Sequence, residues 1–208
     1  MNHPLQVGIT GGIGAGKSLV CHIFRCLGAP VYDADSQAKN LMITDEILLG
    51  QIKKEFGLSA YLPDGSLDRT YLSSAVFAHP DRLEKLNSIV HPRVAEDYKG
   101  WLATHRHEKY VIREAALFYE IGISRSVDKM IVVSAPEDIR IKRVIARDVH
   151  RTKKDIQAII KNQLPDEEKA KRADYIIYND DQHMIIPQVL QLHTGFISVG
   201  QSFKATVS

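Results

Sequence analysis

Residues 5–19, Leu-Gln-Val-Gly-Ile-Thr-Gly-Gly-Ile-Gly-Ala-Gly-Lys-Ser-Leu, constrain this chain more than any other stretch. Leu5, Val7 and Ile9 form a short apolar run that predicts a buried strand. Gly11 to Ser18 then fits G-x-x-x-x-G-K-[ST], and Ser18 to Leu27 reads as a helix. Strand, glycine loop and helix in that order form a phosphate site. Gly11, Gly12, Gly14 and Gly16 allow left-handed backbone angles that turn successive N–H groups inward. Ile13 and Ala15 complete the arc, and Leu19 follows it. The helix beginning near Lys17 points its positive end at the same place. Lys17 is placed to reach the β- and γ-phosphates, and the Ser18 hydroxyl to bind Mg²⁺. The alternative is a plain glycine-rich turn.

The rest of the chain predicts an α/β fold, a P-loop doubly wound and largely parallel five-stranded sheet with a helical insertion and a lid. Leu27-Gly28 reads as a helix stop. Pro30 to Asp33 follows as a second strand, so the first two strands and their helix make a parallel βαβ unit. Residues 36–56 are helical in pattern, as are 67–77, 81–89 and 93–104, with His91-Pro92 separating the last two. The stretch 36–107 contains no clear strand and reads as the insertion. Residues 109–113, 129–134 and 175–178 supply the remaining strands, and a short helix is expected around 116–122. A basic helix follows Pro136, another spans 153–164, and a final one covers 185–192. The core is thus 1–35 with 108–193, the lid about 140–163, and 194–208 reads as a loosely structured tail.

Length and composition bound the alternatives. The 208 residues suffice for one α/β domain with small insertions. A net charge of +2 gives no argument for a nucleic-acid or membrane-surface partner. No run spans a bilayer, and no secretory signal is visible. Cys21 and Cys26 lie on different faces of one helix, which fits free thiols in a reducing cytoplasm. A monomer or small homo-oligomer is expected.

Asp33 ends the second strand, where ligands collect in such sheets. It could accept the proton of an acceptor hydroxyl, with Asp35 assisting. Equally, Asp33-Ala34-Asp35 could cap the next helix. Arg140, Arg143 and Arg147 share a helix face that could stabilise phosphoryl transfer, or could be a solvated basic face. Glu114 is a weaker candidate for water-mediated Mg²⁺ contact.

Several motifs occur in order: the loop at 8–18, Asp33-Ala34-Asp35, Asp64-Gly65-Ser66-Leu67-Asp68-Arg69, Leu86-Asn87-Ser88-Ile89-Val90-His91-Pro92, Leu117-Phe118-Tyr119-Glu120, Arg143 to Arg147, Gln163, and Ala173-Asp174 with Asn179. Through them residues 6–193 resemble the dephospho-coenzyme A kinase family. The resemblance implies transfer of the ATP γ-phosphate to the 3′-hydroxyl of dephospho-CoA, with Mg²⁺. It implies that Asp33 is the base, Lys17 and Ser18 the phosphate and Mg²⁺ residues, and Arg143 and Arg147 lid arginines. It also implies that Arg69, His91 and Pro92 bind the CoA moiety and that Asn179 lies on the adenine side. Leu19 replaces a common Thr and Lys39 a common Arg. The segment Ala115-Ala116-Leu117-Phe118-Tyr119-Glu120 departs from the usual Pro-Leu-Leu-Phe-Glu, which leaves the role of Glu120 open.

Overall fold

A computed structural model describes residues 3–77 and 79–205. They fall into two compact units, Met1–Asp33 with His105–Ser208, and Ala34–Thr104. The first unit is built on five parallel strands: β1 (Leu5–Thr10), β2 (Val31–Asp33), β3 (Tyr110–Glu114), β4 (Lys129–Ser134) and β5 (Tyr175–Tyr178). Their order across the sheet is β2-β3-β1-β4-β5. Val7, Ile9, Val111, Ile112, Ile131, Val132, Val133 and Ile177 are fully buried, the mark of strands covered on both faces.

The helices of this unit are α1 (Lys17–Cys26) and, further along the chain, the pair of residue ranges Glu137–Arg147 and Lys153–Lys161, then Asp166–Lys171 and Ile185–Ala205. In the chain the second unit falls between β2 and β3 and is mainly helical. It holds α2 (Ala34–Thr44), α3 (Glu46–Phe56), α4 (Arg69–Phe77) and α5 (Pro80–Thr104). In chain order the later helices are therefore α6 (Glu137–Arg147), α7 (Lys153–Lys161), α8 (Asp166–Lys171) and α9 (Ile185–Ala205).

Several element boundaries differ from the sequence expectation; α7, for one, ends at Lys161 rather than 164, and α8 follows as a separate helix. The single stretch 36–56 is two helices, because Asp45 takes an extended conformation and its carboxylate accepts from the Leu48 N–H at 2.8 Å. Asp68 likewise accepts from the Tyr71 N–H at 2.8 Å, so α4 starts at Arg69 rather than at 67. His91-Pro92 does not divide α5. Leu86, Val90, Val94 and Tyr98 form one buried stripe at four-residue spacing through the proline, and Pro92 itself is exposed, so its missing donor faces water. The short helix expected around 116–122 is instead a run of turns, followed by a 3₁₀ turn at Ile123–Ser126.

The largest correction concerns residues 194–205 of the expected tail 194–208, of which 206–208 lie outside the described residues. The expected loose tail continues α9 as helix to Ala205. Phe196 is buried and packs on Tyr110 and Tyr175, with ring centroids 5.4 and 5.5 Å away. A helix too weak in local signal is held by aromatic packing against the sheet. Phe196→Ala is expected to lower unfolding stability by about 3–5 kcal/mol in denaturant titration. A change below about 1 kcal/mol would mean that the helix is not anchored there.

Candidate active site

The site lies at the carboxyl ends of the parallel strands, where β1 runs into the glycine loop and the loop into α1. Gly14 and Gly16 take positive φ, 79° and 97°, which an L side chain rarely adopts. Gly12 does not have positive φ and is glycine for another reason: a Cβ there would run into the Arg140 guanidinium. A Cβ on Gly16 would meet the Asn179 amide, and one on Gly14 the carbonyl of Arg140. At Gly14 the obstacle is backbone, whereas at Gly12 and Gly16 a Cβ would displace the Arg140 guanidinium or the Asn179 amide. Lys17 Nζ donates to the Gly11 carbonyl at 2.9 Å, curling back over the loop. Ser18 and Leu19 are exposed in the first turn of α1.

Asn179 supports the loop from the end of β5. Its Nδ2 donates to the Ala15 carbonyl at 2.8 Å in a buried contact. Its Oδ1 and its carbonyl accept from Arg143 at 3.2 and 3.0 Å, and Arg143 also reaches Asp181 at 2.6 Å. One asparagine thus links the glycine loop to the basic helix α6.

The three arginines of α6 do not act as one face. Arg140 is buried and pairs with Asp166 at 3.5 Å. Arg143 is held at Asn179 and Asp181. Arg147 is largely exposed and bonds to Asp148 beside it at 2.9 and 3.0 Å, the solvated pairing that helix charges usually adopt.

Asp33 is the last residue of β2 and stands in register with Glu114 of β3, which in turn stands in register with Ile9 of β1. Two strand spacings, about 10 Å, therefore separate Asp33 from the strand that feeds the loop. Cys21, on the loop's own helix, lies among them. Its buried thiol is pushed well above its ordinary pKa by burial and by the hydrogen-bonded Glu114 carboxylate, with Asp33 adding to the effect. The thiol stays protonated and serves as a small donor. Both cysteines are free, Cys21 buried and Cys26 exposed.

The remaining expected residues belong to the helical unit. Asp35 is in the first turn of α2, Arg69 begins α4, and His91 and Pro92 are in the middle of α5. Burial pushes the half-buried His91 imidazole below its ordinary pKa, toward the neutral form. The structure gathers the loop, Asn179, Arg143 and Asp33 in one unit, and leaves Asp35, Arg69, His91 and Pro92 in the other.

A family model described as dephospho-CoA kinase matches residues 5–184. The chain belongs to the dephospho-CoA kinase family. A dephospho-CoA kinase of Bacteroides fragilis is 35% identical over 188 residues, 90% of this chain and 91% of that protein. The crystal structure of TT1252 from Thermus thermophilus superposes with TM-score 0.82 at 32% identity, covering 93% of this chain and 97% of that one. A dephospho-CoA kinase from Campylobacter jejuni gives TM-score 0.68 at 27% identity, with 94% and 98% covered. Among the described residues no helix is long and apolar enough to cross a membrane.

Sequence reasoning on this family member missed three contacts at the site. Arg140 was read as one of a row of helix charges, but it packs on Gly12. Gln163 stood in a motif without a role, but its side chain accepts from the loop at Ile13. Glu120 is fixed by Lys169, whose Nζ lies 3.0 Å away though poorly aligned for a hydrogen bond, and by the Leu164 N–H at 2.8 Å. The signal for Glu120 was faint. It required pairing one acid with one lysine of a charged run.

Proposed function

We propose that this chain transfers the γ-phosphate of ATP to the ribose 3′-hydroxyl of dephospho-CoA, giving CoA and ADP. The observation that carries the reading is the pairing of a complete phosphate loop with Asp33 at the same edge of one parallel sheet, in a chain of the dephospho-CoA kinase family. The loop backbone from Gly11 to Leu19, Ile13 and Ala15 included, curves around the phosphates, with the Ile13 N–H itself given to Gln163. Lys17 leaves the Gly11 carbonyl to meet the β- and γ-phosphates. Arg143 and Arg147 add positive charge as the γ-phosphoryl moves. Asn179 holds the loop and Arg143 in one arrangement on the nucleotide side.

Asp33 accepts the proton of the 3′-hydroxyl as its oxygen attacks phosphorus. The bond from phosphorus to the β–γ bridging oxygen breaks, and ADP leaves. Asp35, Arg69, His91 and Pro92 serve the acceptor, whose remote contacts position the hydroxyl. Mg²⁺ fits an oxygen donor such as the Ser18 hydroxyl, exposed in the first turn of α1. When bound there it neutralises phosphate charge, and Ser18 is the residue that would hold it. Two free cysteines accord with a reducing cytoplasm.

The test is ADP release in a coupled assay with purified protein. Release is expected to depend on dephospho-CoA, while nucleosides offered in its place give none. ADP release without dephospho-CoA dependence would refute the assignment.

A further inference from the structure

The crest of the glycine loop is gripped from outside the phosphate site. The Ile13 N–H donates to Gln163 Oε1 at 2.9 Å, across 150 residues of sequence. The Ile13 side chain packs on a small cluster of its own, formed by Ile141 and Val144 of α6 and Ile156 of α7, with Ile160 beside it. So Ile13, the large apolar residue of the loop, is held through both its side chain and its amide by groups outside the loop.

Gln163 is itself well anchored. It lies between α7 and α8, and the next residue donates its N–H to Glu120 at 2.8 Å. The fully buried Lys169 of α8 approaches the same Glu120 carboxylate at 3.0 Å. Asp166, at the start of α8, pairs with Arg140, which lies against Gly12. The α7–α8 junction is thus fastened to Glu120 on one side and to the loop on the other.

We propose that Gln163 is a positioning residue for the phosphate loop: by accepting the Ile13 amide proton it fixes the crest in the arc that presents the other amides to ATP. The proposal rests on the reading of the loop as the ATP site. An unheld crest would have to be ordered by ATP itself, and that cost would appear as weaker nucleotide binding. Turnover and acceptor binding, which depend on other groups, would change little.

The experiment compares Gln163→Met, which keeps length without an amide acceptor, with Gln163→Glu, which keeps an acceptor. ATP affinity is measured by calorimetry, steady-state constants for both substrates by the coupled assay, and Ile13 amide exchange in the nucleotide-free protein by NMR. For Gln163→Met, Kd and KM for ATP should rise about tenfold, the worth of one hydrogen bond. Its kcat and its KM for dephospho-CoA should stay within about twofold. Ile13 exchange should quicken about tenfold or more in Gln163→Met and stay slow in Gln163→Glu.

Unchanged ATP affinity in Gln163→Met would overturn the proposal. So would an equal loss in both KM values and kcat, the pattern of a merely structural residue, or fast Ile13 exchange in Gln163→Glu. Lys17→Met serves as control. If it binds ATP as tightly as wild type, the reading of the loop fails and the proposal with it. If it binds weakly while Gln163→Met is unchanged, only the role of Gln163 fails.

Discussion

Asp33→Asn is expected to lower kcat about 10²- to 10⁴-fold, the range for loss of a positioned general base, while KM for ATP stays within about threefold. Asparagine keeps the size of the side chain and its place at the end of β2. It cannot take up the hydroxyl proton at neutral pH. The substitution also separates the two readings of the Asp33-Ala34-Asp35 motif. Asp33 directly precedes α2, and asparagine caps a helix about as well as aspartate. If Asp33 were only a cap, the variant would fold and turn over normally. The measurements are steady-state kinetics with each substrate varied and a thermal melt. A kcat within about threefold of wild type would return Asp33 to the capping role.

The outcome depends on Asp33 having a distinct environment, and the strand register supplies one. Asp33, Glu114 and the end of β1 line up across three strands. Glu114 is buried and engaged with the Cys21 thiol, whereas Asp33 is only half-buried. Of the two carboxylates at this edge, Asp33 is the less buried.

What the sequence made legible was local. The loop, the strands on either side of it, Gly28 after α1, and the position of Asp33 all follow from short-range rules: glycine angles, apolar runs and turn residues. The five strands lie where the apolar runs placed them. The misjudged elements depended on distant partners. Residues 194–205 carry Thr194 and Gly195 and look weakly helical, yet Phe196 finds Tyr110 and Tyr175 on two strands. Pro92 reads as a helix break, yet its exposed position within a continuous buried stripe lets α5 run on.

The site divides in the same manner. The residues proposed to touch phosphate are encoded in one eight-residue pattern. The residues that brace the pattern, Arg140, Gln163 and Asn179, are brought to it by the packing of α6, the α7–α8 junction and the end of β5. No spacing rule in one sequence could have paired Ile13 with Gln163. The glycines illustrate the point further. Gly12 is explained in sequence by conformational freedom, but in the structure by the guanidinium that lies against it.

Lys17→Met, unlike Asp33→Asn, should lose ATP affinity along with rate. Methionine has nearly the length of lysine, packs where the aliphatic stem packs, and brings no charge. The loop's amides and the end of α1 remain, so the fold should persist. The lost Nζ bond to the Gly11 carbonyl is worth about 1 kcal/mol, and the thermal melt should move by only a few degrees. The effect on ATP is far larger. In the proposed role, the ammonium is the one loop group that carries a full charge to the β- and γ-phosphates, in both the bound state and the transition state. Loss of a single preorganised donor at a reacting centre costs about 10²–10³-fold in rate, and here nucleotide affinity falls as well. The expected result is a drop in kcat/KM for ATP of about 10³-fold or more, with ATP binding weakened at least tenfold in calorimetry. Dephospho-CoA binding without nucleotide should stay within about threefold, because its proposed residues belong to the other unit. ATP binding within threefold of wild type would overturn the reading of the loop as the ATP site.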